Sequence, residues 1–247
     1  TAIADFVNNL ERSVLRGEHC ISISLDVDGA FNKTRQMGVV ESMRDEDYPD
    51  IFTNWYESVV MNQIAFVDMG IAKIKRGLTC GVPQGALISP RAWNVYFEPV
   101  LQEANKGPGK VVAYADDFTI TFAGPDLDTV QRIAQQALTK IVKFGGDRGI
   151  TFNPGKTVVM HFGNDPVPGV PLKELSMSGQ IIPYSDEMVY LGMKIKRNLD
   201  FTQHLDDKIK SAKRKLMALK TSIGKFWGPK PSLMLWAYRQ VVLPALT

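Results

Sequence analysis

Lys110-Val-Val-Ala-Tyr114-Ala115-Asp116-Asp117-Phe118-Thr-Ile-Thr-Phe122 is the stretch on which the reading of the fold turns. It offers two apolar strands meeting at an acidic centre, because β-branched and aromatic residues favour extended backbone while paired aspartates favour a turn. Two adjacent anions in an apolar hairpin repel one another and call for a counter-ion. Neighbouring side chains on a strand point to opposite faces, so Asp116 and Asp117 can serve one ion only through turn geometry. Asp116 is therefore expected as the direct ligand and Asp117 as its weaker partner.

Working outward, Cys20-Ile-Ser-Ile-Ser-Leu-Asp26 alternates Ile21, Ile23 and Leu25 against small polar residues, the pattern of a strand that ends at an aspartate. Before it, Ile3, Phe6, Val7, Leu10, Val14 and Leu15 recur at helical spacing up to Gly17. Residues 35–60 read as helix in two pieces broken near Asp50, and Gln63–Asp68 with Ile71–Arg76 read as a hairpin around Met69-Gly70. A helix is expected from Pro90 to about Ala104, with Pro90 in the first turn where its missing N–H costs nothing. Another is expected over 127–148, ended by Gly145, Gly146 and Gly149. Extended structure follows over Ile150–Phe162 around an Asn-Pro-Gly turn.

From residue 20 to 162 the order is strand, helices, strand, strand, helix, strand. Apart from an insertion, this is the α+β, ferredoxin-like split βαβ order. If the first strand and the acidic hairpin are neighbours in one sheet, Asp26, Asp116 and Asp117 converge on one edge. Mg²⁺ takes oxygen ligands, prefers one or two carboxylates and fills its remaining positions with water and substrate phosphates. A pair of such ions would clamp the attacking and leaving oxygens of a phosphoryl transfer. Asp28 shares the face of Asp26 if the strand continues, and otherwise is a solvated acid.

Beyond a Pro/Gly-rich link at 163–171 come short strands, including Met188–Ile195, and then a helix beginning near Thr202. Its apolar stripe is Leu205, Ile209, Ala212, Leu216, Leu219 and Ile223. Between Asp206 and Lys230 there are eight Lys/Arg and two Asp, a local balance of +6 in a chain of net charge +3, so the remainder is net acidic. With 45% hydrophobic and 22% charged residues the chain can bury a sizeable core, and its apolar runs are too short for a membrane span. No charged-then-apolar leader opens it. Cys20 and Cys80 alone exclude a disulfide framework and fit no zinc spacing.

Five motifs occur in order: Ser24-Leu-Asp26-Val27-Asp-Gly-Ala-Phe31-Asn32, Gly81-Val-Pro-Gln84-Gly-Ala-Leu-Ile-Ser-Pro90, Tyr114-Ala-Asp116-Asp117, Phe152-Asn-Pro-Gly-Lys156-Thr and Tyr190-Leu191-Gly192. Together they resemble the successive motifs of reverse transcriptases, most closely those of non-LTR, LINE-type retrotransposons. The resemblance implies a right-hand polymerase palm over residues 1–200, with a remnant of fingers, and the start of a helical thumb over 201–247. It implies that Asp26 and Asp116, with Asp117 and the Val27 carbonyl, hold two Mg²⁺, with Mn²⁺ as a substitute. Phe31 matches the aromatic gate beneath the incoming sugar, Gln84 a contact to template or nucleotide, and Lys156 the lysine near the triphosphate. Tyr190, Leu191 and Gly192 match the primer grip. Lys208, Lys210, Lys213, Arg214 and Lys215 would track the nucleic-acid backbone.

The implied partners are an RNA template, a DNA primer and deoxynucleoside triphosphates, with no membrane, and the implied workplace is nuclear chromosomal DNA. The chain looks like part of a longer polyprotein. Asn32 stands where the family usually has aspartate, and Arg91-Ala92 replaces a leucine-rich pair. Gly155-Lys156-Thr157 imitates the end of a P-loop, but that motif needs glycine where Ile150 stands. A group II intron maturase shares the Tyr-Ala-Asp-Asp signature, and a non-catalytic nucleic-acid-binding remnant is the alternative from another class.

Overall fold

Strict alternation along one strand sets the architecture. The computed structural model describes residues 2–70, 73–163, 172–221, 223 and 227–246. The chain runs α1 (Ala2–Leu15), β1 (His19–Asp26), α2 (Ala30–Lys33), α3 (Gln36–Asp45), α4 (Asp50–Met61), β2 (Ile64–Asp68) and β3 (Lys73–Gly77). It continues through α5 (Ser89–Asn105), β4 (Lys110–Tyr114), β5 (Asp117–Gly124), α6 (Leu127–Asp147), β6 (Val158–Phe162), β7 (Leu175–Met177) and β8 (Gln180–Ile182). Last come β9 (Glu187–Tyr190), β10 (Met193–Lys196), α7 (Thr202–Thr221) and α8 (Pro231–Ala237), the last followed by a π-helical turn (Tyr238–Val242) and a 3₁₀ turn (Leu243–Ala245). It divides into two compact units, Thr1–Asp186 and Glu187–Thr247. The division comes before the β9–β10 hairpin, whereas the expected boundary comes after it.

The first unit is built on a four-stranded antiparallel sheet of order β4-β5-β1-β6, the order of the split βαβ fold. In the β1–β5 register Ile21 faces Phe122, Ile23 faces Ile120 and Leu25 faces Phe118. All six are buried, and they form one core with Trp93, Phe97 and Val100 of α5 and Val130, Ala134, Leu138 and Ile141 of α6. The residues between them form the opposite face: Ser22 against Thr121, Ser24 against Thr119, Asp26 against Asp117. Hydroxyl pairs at 3.4 Å (Ser22, Thr121) and 3.5 Å (Ser24, Thr119) line it. Helix α1 packs against β1 and β4, burying Phe6 and Leu10. The sheet thus ends in aspartates on its polar face.

Most elements expected from sequence are present, with three differences. Gly145 and Gly146 lie within α6, and the turn comes at Gly149, where φ is +81°. Gly145 is inside the helix because a Cβ there would come within 2.9 Å of the Phe152 ring and 3.1 Å of the Ile150 carbonyl. Extended pairing over 150–162 is confined to β6 and one bridge from Phe152 to Val27, since the Asn153 turn occupies the middle. The apolar stripe of α7 is mostly exposed: Ala212 alone is buried, with Leu219 packed beside it against Val242 and Ala245. The link expected at 163–171 lies, beyond Gly163, outside the described residues.

Candidate active site

Asp26 ends β1 and Asp117 begins β5 directly opposite it, with Tyr114 of β4 across from Asp117 on the other side. Ala115 and Asp116 form the intervening turn, and Ala115 has φ +55°, a conformation an alanine adopts only under constraint. The constraint is visible: the indole N–H of Trp93, 1% exposed on α5, donates to the Ala115 carbonyl at 2.9 Å. The turn leaves Asp116 near enough to Asp117 for their charges to interact, while Asp26 faces Asp117 across the register. The Asp117 carboxyl is held above its ordinary pKa by partial burial and then by the negative charges of Asp116 and Asp26.

One cation approaches the group. Lys156 Nζ lies 3.8 Å from Asp26 Oδ2, with both side chains substantially exposed. Its place is set by the turn after Phe152. Asn153 N donates to the Asp26 carbonyl at 2.9 Å, while Asn153 Oδ1 accepts from Gly155 N at 3.0 Å. The Asn153 carbonyl accepts from Thr157 N at 3.0 Å and from Thr157 Oγ1 at 2.8 Å. Val27, 7% exposed, bridges to Phe152, and Asp28 N donates to Thr151 O at 2.8 Å. Asp28 itself pairs with Lys33, so it is withdrawn from the acid group.

Phe31 is half-buried, its ring centroid 6.0 Å from that of Trp93. Its carbonyl accepts from Val82 N at 2.8 Å, and Thr34 O accepts from Gly81 N at 2.8 Å. Gln84 Nε2 donates to Asn32 Oδ1 at 3.1 Å, so the loop carrying Gln84 lies along the segment carrying Phe31. Gly81 permits that approach: φ is +90°, and a Cβ would sit 3.0 Å from the Asn32 carbonyl oxygen. One indole thus touches both the acid turn and the Phe31 ring. From sequence, Trp93 reads only as part of an apolar helix face. The usable signal is that a buried tryptophan N–H needs an acceptor.

In the second unit, Tyr190 pairs with Met193 and the two residues between them, Leu191 (φ +48°) and Gly192 (φ +81°), make a tight turn of the I′ kind. Leu191 and Gly192 are accessible, whereas the Tyr190 side chain is 1% exposed, so the hairpin offers its turn rather than the tyrosine ring. On α7, Lys210, Lys213, Arg214 and Lys215 are exposed and Lys208 is half-buried.

The donor set suits a hard divalent cation. Among the described residues no three His, Cys, Asp or Glu side chains form a ready-made metal cage. An ion that draws part of its coordination from water and substrate phosphates needs no such cage, and the Asp117 carboxyl, raised by burial and then by the charges of Asp116 and Asp26, would be relieved by a nearby cation.

An antiparallel sheet with its acids at a hairpin edge and helices packed against it fits the palm of a right-hand polymerase. The model of the family described as reverse transcriptase (RNA-dependent DNA polymerase) matches residues 3–195, and the chain belongs to that family. A Pol polyprotein of the type-1 retrotransposable element R1 from Nasonia vitripennis is 27% identical over 161 residues, 64% of this chain and 48% of that protein. The probable RNA-directed DNA polymerase from transposon BS of Drosophila melanogaster is 21% identical over 245 residues, 95% of this chain and 26% of that protein. The similarity thus runs to the non-LTR, LINE-type branch, and the chain spans less than half the length of these relatives. Among solved structures, apo telomerase from Candida tropicalis, truncated from its C-terminal domain, superposes with a TM-score of 0.57 at 14% identity. It covers 80% of this chain and 39% of its own and speaks to the fold alone. No helix among the described residues is long and apolar enough to cross a membrane.

Proposed function

We propose that this chain supplies the palm, and the start of the thumb, of an RNA-directed DNA polymerase acting in retrotransposition. The observation that carries the reading is the register pairing of Asp26 with Asp117, with Asp116 in the turn between β4 and β5. In the reaction a primer 3′-hydroxyl attacks the α-phosphate of a deoxynucleoside triphosphate, one P–O bond forms, another breaks, and pyrophosphate leaves. Asp26 and Asp116, with Asp117 and the Val27 carbonyl, would hold two Mg²⁺, or Mn²⁺ in their place. Those ions would acidify the attacking hydroxyl and neutralise charge on the transferring phosphoryl group.

The chain's own residues supply the rest. Phe31, with its ring fixed by Trp93, would lie under the incoming sugar and exclude a 2′-hydroxyl by bulk. Gln84, held to Asn32, would meet the template or the nucleotide. The exposed ammonium of Lys156, only loosely tied to Asp26, is free to turn toward the departing pyrophosphate and to protonate or neutralise it. Leu191 and Gly192 would meet the primer end, Tyr190 would act from inside the hairpin by fixing its turn, and Lys208, Lys210, Lys213, Arg214 and Lys215 would follow duplex phosphates. The RNA template, DNA primer and deoxynucleotides are thus the partners of a larger polyprotein of which this chain is a piece.

The test is primer extension on an RNA template with Mg²⁺, using the chain together with the segments that flank it in its reading frame. Asp116→Ala and Asp26→Ala should each abolish extension while leaving duplex binding intact. A wild-type protein that binds the duplex and never extends it would be the nucleic-acid-binding remnant instead.

A further inference from the structure

Two segments of the candidate site are tied backbone to backbone. Gly81 N donates to the Thr34 carbonyl and Val82 N to the Phe31 carbonyl, each at 2.8 Å, while Arg35 bridges to Cys80. Beyond Val82 the loop folds back on itself. The Pro83 carbonyl accepts from Ser89 Oγ at 2.5 Å and from Ala86 N at 3.2 Å, which leaves Gln84 and Gly85 at the tip, with Gly85 at φ +88°. The backbone is thus settled on both sides, whereas the Gln84 and Asn32 side chains that meet above it are exposed. Gln84 Nε2 donates to Asn32 Oδ1 at 3.1 Å, and neither amide has another hydrogen-bond partner among the described residues.

A primary amide carries an acceptor oxygen and a donor nitrogen of nearly the same shape. In the observed pose Gln84 spends its donor on Asn32 and keeps its carbonyl oxygen for a ligand. Turning both amides end for end preserves the bond, now from Asn32 Nδ2 to Gln84 Oε1, and leaves Gln84 an N–H to offer. An aspartate at position 32 would only accept, and so would hold Gln84 in the first pose. We propose that Asn32 is a specificity-determining residue, which lets Gln84 present either a donor or an acceptor to the minor-groove edge of the base pair being formed. The inference rests on the polymerase reading. With Phe31 beneath the incoming sugar, the adjacent Asn32 and its partner Gln84 lie on the sugar side of the pair, which is its minor-groove side. Adenine and thymine show only acceptors there, whereas guanine adds its N2 donor. An amide free to turn meets both kinds of pair. A locked one makes a good bond to the second kind alone.

The experiment is steady-state single-nucleotide primer extension on RNA templates that call for each deoxynucleotide in turn, using the chain with its flanking segments. The wild type should show similar KM values for all four. Asn32→Asp should raise KM for pairs of adenine with thymine or uracil about fivefold more than for pairs of guanine with cytosine, the worth of one hydrogen bond. Gln84→Glu, an acceptor that Asn32 Nδ2 can hold, should show the same bias, whereas Asn32→Ala releases Gln84 and should raise all four values together. The charge added by Asn32→Asp acts on every nucleotide alike, so the ratio between pairs isolates the turning amide. Inosine in place of guanine, in the nucleotide or in the template, removes the N2 amine. It should cost Asn32→Asp about fivefold and the wild type little, since the wild-type amide can turn to N3. Four KM values that move by one common factor in Asn32→Asp, or an inosine cost equal in both proteins, would overturn the inference and leave the polymerase reading standing. A wild-type protein that binds the duplex and never extends it would remove both.

Discussion

The indole of Trp93 and the carbonyl of Ala115 are joined by a 2.9 Å hydrogen bond that runs from the buried core to the turn that carries Asp116. Ala115 holds a left-handed conformation there, and the same ring lies against Phe31 and is stacked on Phe97 at 5.2 Å. Two functions proposed for separate motifs therefore share one mechanical support.

Trp93→Phe keeps a smaller aromatic ring and removes the donor to the exposed Ala115 backbone, a loss of about 1 kcal/mol for the hydrogen bond. Steady-state primer extension should show the turnover rate lowered about tenfold, with the KM for deoxynucleotide changed less, and discrimination against ribonucleotides weakened. Trp93→Ala should instead destabilise the protein by about 3–5 kcal/mol, seen as a large fall in Tm.

Asp117 offers a stability prediction with a definite sign. Its pKa is raised in the folded protein, so the folded state binds a proton more readily than the unfolded chain does. Its contribution to stability therefore falls as pH rises through the interval from the ordinary carboxylate value to the raised one, and above that interval it is a standing cost. Asp117→Asn should raise the metal-free Tm at neutral pH, on the order of 1–2 °C for an accessible site, and the advantage should vanish in acid. Mg²⁺ should stabilise the wild type more than this variant, as scanning calorimetry would report.

Lys156→Ala should separate chemistry from folding. An exposed pair at 3.8 Å contributes little, within about 0.5 kcal/mol, so the Tm should hold. If the ammonium assists the leaving pyrophosphate, single-turnover incorporation should fall about 100-fold, with Lys156→Arg recovering part of it.

Gly81→Ala places a methyl group 3.0 Å from the Asn32 carbonyl at a backbone angle alanine disfavours. A loss of about 1–2 kcal/mol in stability is expected. Because the loop also carries Gln84, the KM for deoxynucleotide should rise in primer extension more than turnover falls.

How far the sequence carried the fold depends on where periodicity was clean. The alternation of Ile21, Ile23 and Leu25 with Ser22, Ser24 and Asp26 announces a strand with two different faces, and the β1–β5 register repeats it in Phe118, Ile120 and Phe122. Gly145 misleads because a helix-breaking residue is also the one that lets α6 approach Phe152. The stripe of α7 is legible as amphipathic, yet periodicity says nothing of what covers it, and only Ala212 is buried. At the candidate site the acids and Lys156 were legible as residue types in order. The bonds from Trp93 to Ala115 and from Asn153 to Asp26 were not, since each joins a side chain or amide to a distant carbonyl that leaves no mark in composition.

The two-sided character of β1 has a consequence for how copies of this gene decay. Core residues and Asp26 are read off the same strand, so gaining or losing one codon there would exchange its two faces, setting Ser22 and Ser24 against α5 and α6 and taking the acid off the edge it shares with Asp117. Such a lesion destroys folding and chemistry in a single event. A point change at Asp26 instead leaves a sound shell without turnover, so among ageing copies a silent but well-folded product should carry base substitutions, never length changes, in this strand.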